Sequence, residues 1–533
     1  MKKALKNSLL AGICSMPLLA SAQEKPNIVF IFFDDLGYGD ISSLSSESKI
    51  QTPNIDQVAS EGLSFLDGHC SAAACTPSRY AALTGRYSWR TELKQGVLGG
   101  FSPNLVESDR ATVASVLKSS GYKTAMFGKW HLGMNWPVKD GEAGKNKMSL
   151  ENIDWKAPIT GGPTSVGFDY YFGISASLDM PPYVYIENDR TTEVPDKMLS
   201  SADFPNSAFG RPGPGTSTWS NEAVMGDLTD RAIDYIKNHD KKQPFYIYLP
   251  FNSPHSPHVP IKEFQGKSEV GKYGDFVIEC DYHVGRVMKA LKDSGINDNT
   301  LVLISSDNGP ERNMYRTRNT TGHDSSGKLL GAKRDNWEGG HRVPFIVSWP
   351  AVIKPGTTSD QVVSLVDWPA TCAELASATY GADDLPDSFS FAAALRGEEI
   401  PGNNQRVYAY RSSKGDLAFR QGDWKLLTNA GSGGNTYSDK SFGVEFEAYS
   451  RTGQLYNIKE DPYEKKNLFD QNPEIVERIL AAGTKVVTRG RTTDGAELTN
   501  ANYPWPQLDW MNNWPPKALE APKPKSKKSK KSK

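Results

Sequence analysis

The sequence predicts an α/β fold. A large mixed, mainly parallel sheet flanked by helices is expected, with a smaller C-terminal antiparallel sheet and helix beyond it. Three observations lead there. Runs that are apolar at nearly every position, such as Asn27 to Phe33 and Thr300 to Ile304, suit strands buried on both faces of a sheet. Segments with helical spacing alternate with these runs. Five separated segments also end on polar residues, as parallel strands do when their carboxyl ends open onto one crevice.

In chain order, Asn27 to Phe33 stops at Asp34-Asp35, with Gly37 and Gly39 in the following loop. A short helix is expected over Ala111 to Leu117, then a strand from Tyr122 to Phe127 that stops at Gly128-Lys129-Trp130-His131. Another helix is predicted over 226–237 and a strand over Phe245 to Leu249, ending at the Pro-rich loop of His255. Helical spacing over Asp275 to Asp293 precedes the strand Thr300 to Ser305, which ends at Asp307-Asn308-Gly309. Val343 to Trp349 supplies one more strand.

The texture changes after about residue 404. Val407 to Arg411, Leu417 to Arg420, Trp424 to Leu427 and Gln454 to Asn457 are short strands between Gly, Asn and Ser turns, with a helix near Glu474 to Val486. The expected organisation is a leader over 1–22, a catalytic domain over 23–404 and an α+β subdomain over 405–510. A Pro-containing segment and disordered Lys-rich tail follow over 511–533. Two Gly/Pro/Asn-rich stretches, 139–165 and 199–219, read as surface insertions that frame a substrate cleft.

Composition narrows the class. With 38% apolar and 23% charged residues the chain suits a soluble globular protein rather than a fibrous or disordered one. Lys2, Lys3 and Lys6 precede an apolar run from Leu9 to Leu19 and the small residues Ala20-Ser21-Ala22, the layout of an exported precursor. That run is too short for a transmembrane anchor. A periplasmic or secreted location is therefore expected. Setting aside three leader lysines and the seven of the last eleven residues turns the formal charge of −1 into −11 for the body. An acidic body argues against nucleic acid as the main partner. The four cysteines beyond the leader, Cys70, Cys75, Cys280 and Cys372, are too few to staple so long a chain.

The strand ends carry the chemistry. Asp34-Asp35 and Asp307-Asn308 form an oxygen-only set that favours a hard cation, Ca²⁺ or Mg²⁺, over zinc. Arg79, Lys129, Lys333 and His255 are cations and donors able to neutralise a tetrahedral oxyanion. His131 and His255 are candidate acid–base groups. These features specify a metal-dependent hydrolase of sulfate or phosphate esters without choosing between them.

The segment Cys75-Thr76-Pro77-Ser78-Arg79, continuing to Leu83-Thr84-Gly85-Arg86, resembles the signature of the type I, formylglycine-dependent sulfatases of the alkaline phosphatase-like superfamily. Asn27 through Gly39 is similar to that family's opening strand and metal loop. Gly128 through Gly133 is similar to its G-K-W-H-L-G element, and Pro254-His255-Ser256-Pro257 to its P-H-x-P loop. Ser306 through Gly309 resembles its second metal element, and Lys333 with Trp337 through Pro344 its late lysine and E-G-G-x-R-x-P segment. The resemblance implies an arylsulfatase-like carbohydrate sulfatase whose Cys75 is oxidised to Cα-formylglycine by a formylglycine-generating or sulfatase-maturing enzyme. It implies hydrolysis through a sulfated formylglycine, whose geminal diol sheds sulfate by collapsing to the aldehyde.

By the same resemblance Asp34, Asp35, Asp307 and Asn308 hold Ca²⁺ in preference to Mg²⁺. Arg79 positions the formylglycine hydroxyl, and Lys129 and Lys333 bind sulfate oxygens. His255, with Lys333 nearby, protonates the leaving alcohol, His131 assists sulfate elimination, and Asp307 helps take the attacking hydroxyl's proton. The expected substrate is a sulfated carbohydrate, attacked at a terminal sugar, with His323 and Asp324 as candidate sugar contacts. The competing readings are a phosphonate or phosphate monoester hydrolase using the same formylglycine, and a non-catalytic glycan-binding protein.

Overall fold

A computed structural model describes residues 25–139, 149–204, 210–434 and 453–515. The predicted leader and the end of the basic tail lie outside them. Among the described residues no helix is long and apolar enough to cross a membrane.

The main sheet has ten strands: β1 (Asn27–Asp34), β2 (Leu63–Phe65), β3 (Lys123–Lys129), β4 (Tyr170–Ile174), β5 (Ile186–Glu187), β6 (Arg190–Thr191), β7 (Phe245–Pro254), β8 (Thr300–Ser306), β9 (Phe345–Ser348) and β10 (Thr357–Ser359). Their spatial order is β10-β2-β9-β8-β1-β7-β3-β4-β5-β6. The central run β8-β1-β7-β3-β4 is parallel throughout. Strand β9 runs antiparallel to both its neighbours, and β5 and β6 close the other side antiparallel. The mixed, mainly parallel expectation is met.

The continuous apolar runs have the cause inferred for them. Ile28, Phe30 and Phe32 of β1 enter one core, while Val29, Ile31 and Phe33 enter the core on the opposite face. In β8, Leu301 and Leu303 divide from Val302 and Ile304 in the same way. Burial on both faces leaves no polar position, so the two-residue alternation is hidden. Helices cover both faces. Pro53–Ser60, Val224–Asn238 and Lys272–Asp293 pack on one, and Val113–Ser119 and Trp368–Leu375 on the other.

Predicted boundaries shift by a few residues. The helix expected from Ala111 begins at Val113, because the Thr112 hydroxyl accepts from the Ser115 N–H at 3.1 Å and caps it. Strand β7 runs on to Pro254, past the predicted end at Leu249.

The second sheet pairs Val407–Arg411, Leu417–Gln421, Trp424–Leu427 and Gln454–Asn457 antiparallel in that order, with helix Pro473–Thr488 against it. One expectation needs correction. Stretch 139–165 does not frame the cleft in its described part: Ile153, Trp155 and Ile159 are buried in the main core, where Trp155 meets Trp136 at 5.6 Å between ring centroids. The four described cysteines are all buried free thiols, so no disulfide forms among them.

Candidate active site

The parallel strands deliver their polar residues to one end of the sheet. Asp34 closes β1, Lys129 closes β3, His255 follows β7, and Asp307 and Asn308 follow β8. Register brings the ends level, with Asp34 beside Pro254 and Phe33 beside Ser306. Glycine is required at two of these turns. A Cβ on Gly128, at φ +144°, would lie 2.0 Å from the Pro250 carbonyl oxygen; one on Gly309 would lie 1.9 Å from that of Gly339. Asp35 and His131 hold left-handed backbones at φ 68° and 57°, a conformation unfavourable outside glycine that recurs at functional sites.

Cys75 is the first residue of helix Cys75–Thr84, all ten of whose residues are buried. Its Sγ lies 3.5 Å from Asp34 Oδ1. One turn on, Arg79 donates from Nε to Asp307 Oδ2 at 2.9 Å, and its Nη2 lies 2.7 Å from the same oxygen. Lys129 pairs with Asp34 and donates to Ser177 Oγ at 2.6 Å. Lys333 reaches both oxygens of Asp35, at 2.6 and 2.9 Å. The Asn308 amide nitrogen also donates to Asp35, at 2.7 Å. His255 Nε2 lies 3.8 Å from Asp35 Oδ2.

Three buried carboxylates thus face three permanent cations, and the electrostatics follow from burial and neighbours. Burial opposes ionisation of Asp34, but Lys129, His255, Arg79 and Lys333 outweigh it and hold the carboxyl well below its usual range. Asp307 goes the other way: burial, joined by the nearby charge of Asp34, pushes it up to about 7. Burial also pushes the Cys75 thiol up, more than Lys129 and Lys333 pull it down. An unmodified Cys75 is held protonated and is a poor nucleophile.

The histidine tautomers can be read from their partners. His131 Nε2 is 2.8 Å from the Leu98 carbonyl, which can only accept, so Nε2 carries the proton and Nδ1 keeps a lone pair. Nδ1 is buried without a hydrogen-bond partner. Burial, with Lys129 and Arg79 adding to it, lowers the affinity of this ring for a second proton far below the ordinary histidine value. It is a neutral imidazole with an unshared lone pair at Nδ1. His255 Nδ1 donates to the Ser256 carbonyl, leaving Nε2 directed at the Asp35 side.

Cys75, His131, His255 and Lys333 line one cleft of about 1110 Å³. His323 and Asp324 do not line it. His323 is fully buried: Nε2 donates to Asp40 at 2.8 Å and Nδ1 accepts from the Lys49 N–H at 3.2 Å. It is a strut between loops, which corrects the expectation of a sugar contact. Asp324 accepts from the Ser326 N–H and hydroxyl at 3.1 and 2.8 Å, the turn-holding role of a loop aspartate.

The model of the sulfatase family matches residues 26–378, about two-thirds of the chain and all of the residues just described except the C-terminal sheet. The chain belongs to the sulfatase family. Across its length this sulfatase is 32% identical over 504 residues to an N-acetylgalactosamine-6-O-sulfatase of Bacteroides thetaiotaomicron, covering 87% of this chain and 94% of that one. It is also 32% identical to human arylsulfatase A, over 90% of this chain and 89% of the relative. Among solved structures, a Bacteroides thetaiotaomicron sulfatase from a locus for metabolism of multiple glycosaminoglycans superposes with a TM-score of 0.75 at 30% identity. That match covers 87% of this chain and all of the other. The protein is a sulfuric ester hydrolase with a formylglycine-type active site, whose buried acidic, histidine and cysteine cluster suits a metal ion.

Sequence reasoning missed several cleft residues of this sulfatase. Ser177 fixes Lys129, and Asp179 pairs with Arg211 at 3.2 Å. Glu311 pairs with Arg334 at 2.6 Å. Ser177 and Asp179 come from the loop after β4 and Arg211 from the stretch 199–219 after β6, where no motif marks them. Glu311 and Arg334 flank motif residues and could have been found by their charge.

Proposed function

We propose that this sulfatase removes sulfate from a terminal residue of a sulfated carbohydrate, with formylglycine at position 75 as its nucleophile. The observation that carries the reading is the meeting of Cys75, three acids and three cations at the floor of one cleft. A carbohydrate substrate is supported by the name of the N-acetylgalactosamine-6-O-sulfatase it resembles over most of both chains.

Asp34, Asp35, Asp307 and Asn308 would hold Ca²⁺. The donor set fits: all four are buried oxygen ligands, and the Asn308 Oδ1 is buried without a hydrogen-bond partner. When bound, the dication supplies positive charge that polarises the ester and the nucleophile. The formylglycine hydrate supplies a hydroxyl that a thiol held protonated cannot replace.

The remaining work falls to the chain's own side chains. Lys129 and Lys333 bind sulfate oxygens, while Arg79, fixed by its two contacts to Asp307, orients the nucleophile. His255, as the imidazolium that keeps Nδ1–H on the Ser256 carbonyl, gives its Nε2 proton to the leaving alcohol and is left neutral, with Lys333 sharing Asp35 beside it. Asp307 helps take the proton of the attacking hydroxyl. His131, whose Nδ1 has no hydrogen-bond partner, assists sulfate elimination in the second half of the reaction. The catalytic unit over 23–404 and the C-terminal unit over 405–510 remain our division. Export by the leader and maturation by a formylglycine-generating or sulfatase-maturing enzyme complete the proposal.

The test is sulfate release from a panel of defined sulfated mono- and oligosaccharides by enzyme whose residue 75 has been verified by peptide mass spectrometry. Cleavage of terminally sulfated sugars is expected. Turnover confined to internal sulfates of polymers would overturn the terminal assignment. An active preparation with only unmodified Cys75 would overturn the nucleophile.

A further inference from the structure

Charge around the mouth of the cleft is unevenly matched. Arg211 pairs with Asp179 and Arg334 with Glu311, so each rim acid already has a guanidinium. Glu311 is committed further, since its Oε1 also accepts from the Arg312 backbone N–H at 3.0 Å. Burial works against its ionisation, yet Lys333 and Arg334 hold its carboxyl down at about 2. Two cations are left over. Arg312 and Arg316 are exposed, line the same cleft as Cys75, and their guanidinium groups meet no acid among the described residues.

Local physics disfavours that placement. Helix Met314–Thr321 carries Arg316 in its first turn and no acid there, so the cation faces the positive end of the helix dipole. Arg312 sits just before that helix and lines the same cleft, so a second positive charge shares the rim. A broken local rule at the rim of a catalytic cleft, with no compensating contact inside the protein, points to a ligand that supplies the compensation. The cleft has room for it. At about 1110 Å³ it exceeds the ~300–1,000 Å³ typical of small-molecule sites, space for more than the sugar that carries the scissile sulfate.

We propose that Arg312 and Arg316 form a specificity site for a second anionic group, carried by the sugar adjoining the one that is desulfated. The preferred substrate is then a polyanionic oligosaccharide rather than a neutral chain bearing one sulfate. This rests on the sulfatase reading above. Guanidinium forks pair bidentately with oxyanions, and a uronate carboxylate and a further sulfate present that same chemistry. An anion bound by the two arginines balances their charge and meets the helix dipole with favourable sign.

The experiment compares kcat/KM of formylglycine-verified enzyme on three disaccharides that share the same terminal sulfated sugar. The adjoining residue is a neutral hexose, a uronic acid or a sulfated hexose. Wild type is expected to prefer at least one acidic disaccharide by about tenfold or more, mainly through KM, and to lose part of that preference in high salt. R312Q/R316Q should bring the ratio of acidic to neutral kcat/KM close to one, and R312K/R316K should restore part of it. Whichever acidic arm shows the preference identifies the anion. Equal kcat/KM on all three in wild type, or an unchanged ratio in R312Q/R316Q, overturns the inference and leaves the sulfatase reading intact. Failure on every disaccharide and on aryl sulfates would instead strike the sulfatase reading itself.

Discussion

The Nδ1 atoms of His69 and His341 lie 3.1 Å apart in a fully buried contact. One must donate and the other accept, and their outer partners decide which. The Asp67 carboxylate accepts from His69 Nε2 at 2.7 Å, so His69 Nδ1 accepts from His341 Nδ1, while Lys425 Nζ and the Asn336 carbonyl oxygen both meet His341 Nε2, at 2.9 and 3.1 Å. The proton order therefore runs from His341 to His69 to Asp67. Arg420 grips Asp67 at 2.6 Å, and Arg420 and Lys425 are directly paired across the second sheet. That sheet clamps both ends of a relay whose middle belongs to the main unit, and His69 must be neutral for it to form.

Acid should break this relay. Burial lowers the proton affinity of His69 and, with Lys425 adding to it, of His341 below the unfolded value of 6.5. The unfolded chain then binds more protons below that value, so the stabilisation is fully present above about pH 6.5 and is lost as pH falls. Glu464 opposes: burial raises it to about 7, so its contribution is greatest below the unfolded 4.5 and fades as pH rises through about 7. In a Glu464→Gln background, Tm is expected to fall steadily from pH 7.5 to 5. His341→Gln in that background, which cannot titrate, should fall less steeply. Identical slopes would remove the relay as the cause.

Lys425 itself is fully buried between Glu338 and Glu464, at 2.9 Å from each. Lys425→Met leaves two acids without their cation, a change that typically costs about 3–5 kcal/mol for a buried pair. Chemical denaturation should show a loss of that order, and Lys425→Met with Glu464→Gln should recover part of it. A single variant as stable as wild type would mean that the acids take up protons at little cost.

Much of this architecture was legible in the sequence, and the failures have physical causes. Asn27 to Phe33 and Thr300 to Ser305 announced themselves because burial on both faces demands apolar residues throughout. The helix at Cys75–Thr84 did not: with all ten residues buried it has no polar face, and Thr76, Pro77, Ser78 and Arg79 break any apolar stripe. His323 sits in a Gly, Asp and Ser-rich stretch that reads as an exposed loop. Its burial depends on Asp40, 283 residues earlier, a contact that local composition cannot reveal. Trp155 and Ile159 were likewise hidden by polar neighbours, although they help fill the main core. The strand-end residues were found because motif and topology coincide there. Arg312 and Arg316 were passed over because surface arginines are ordinary until their missing partners are seen.

Position 75 separates chemistry from stability. Its side chain is small and buried, with Asp34 its near neighbour. Cys75→Ala should lower kcat/KM on any sulfate ester by roughly three orders of magnitude or more, as loss of a covalent nucleophile does, while Tm changes little. Sulfate release with thermal melting on the same preparation checks both. Retained turnover in the alanine variant would point to a different nucleophile.

The metal assignment can be read without turnover. Asn308→Ala removes one neutral oxygen ligand, whereas Asn308→Asp replaces it with a charged one. Calorimetric titration of Ca²⁺ into chelator-stripped enzyme should give one site, weakened at least tenfold by the alanine variant and weakened less by the aspartate. Unchanged binding in Asn308→Ala would move the cation away from Asn308. Full activity in a sample shown by metal analysis to be free of divalent ions would dismiss its catalytic role.

The preference among ester classes is the sharpest chemical test of the site. A sulfate monoester brings one negative charge near neutrality, while a phosphate monoester brings between one and two. The three cations of the floor are already matched by Asp34, Asp35 and Asp307. A bound dication would leave charge for one or two negative units, so charge counting alone admits either ester. In the proposed division of roles Asp307 and His131 take protons, while His255, whose Nε2 lies on the Asp35 side, supplies one to the leaving group. This division suits a monoanionic ester that needs no further proton of its own. Aryl sulfate is therefore expected to exceed the matched phosphate and phenylphosphonate esters in kcat/KM by tenfold or more, about 1.4 kcal/mol of transition-state discrimination. The three esters must share one alcohol, because its acidity sets the barrier for each. Phosphonate turnover two orders of magnitude above sulfate turnover, and lost in Cys75→Ala, would keep the nucleophile and reverse the preference.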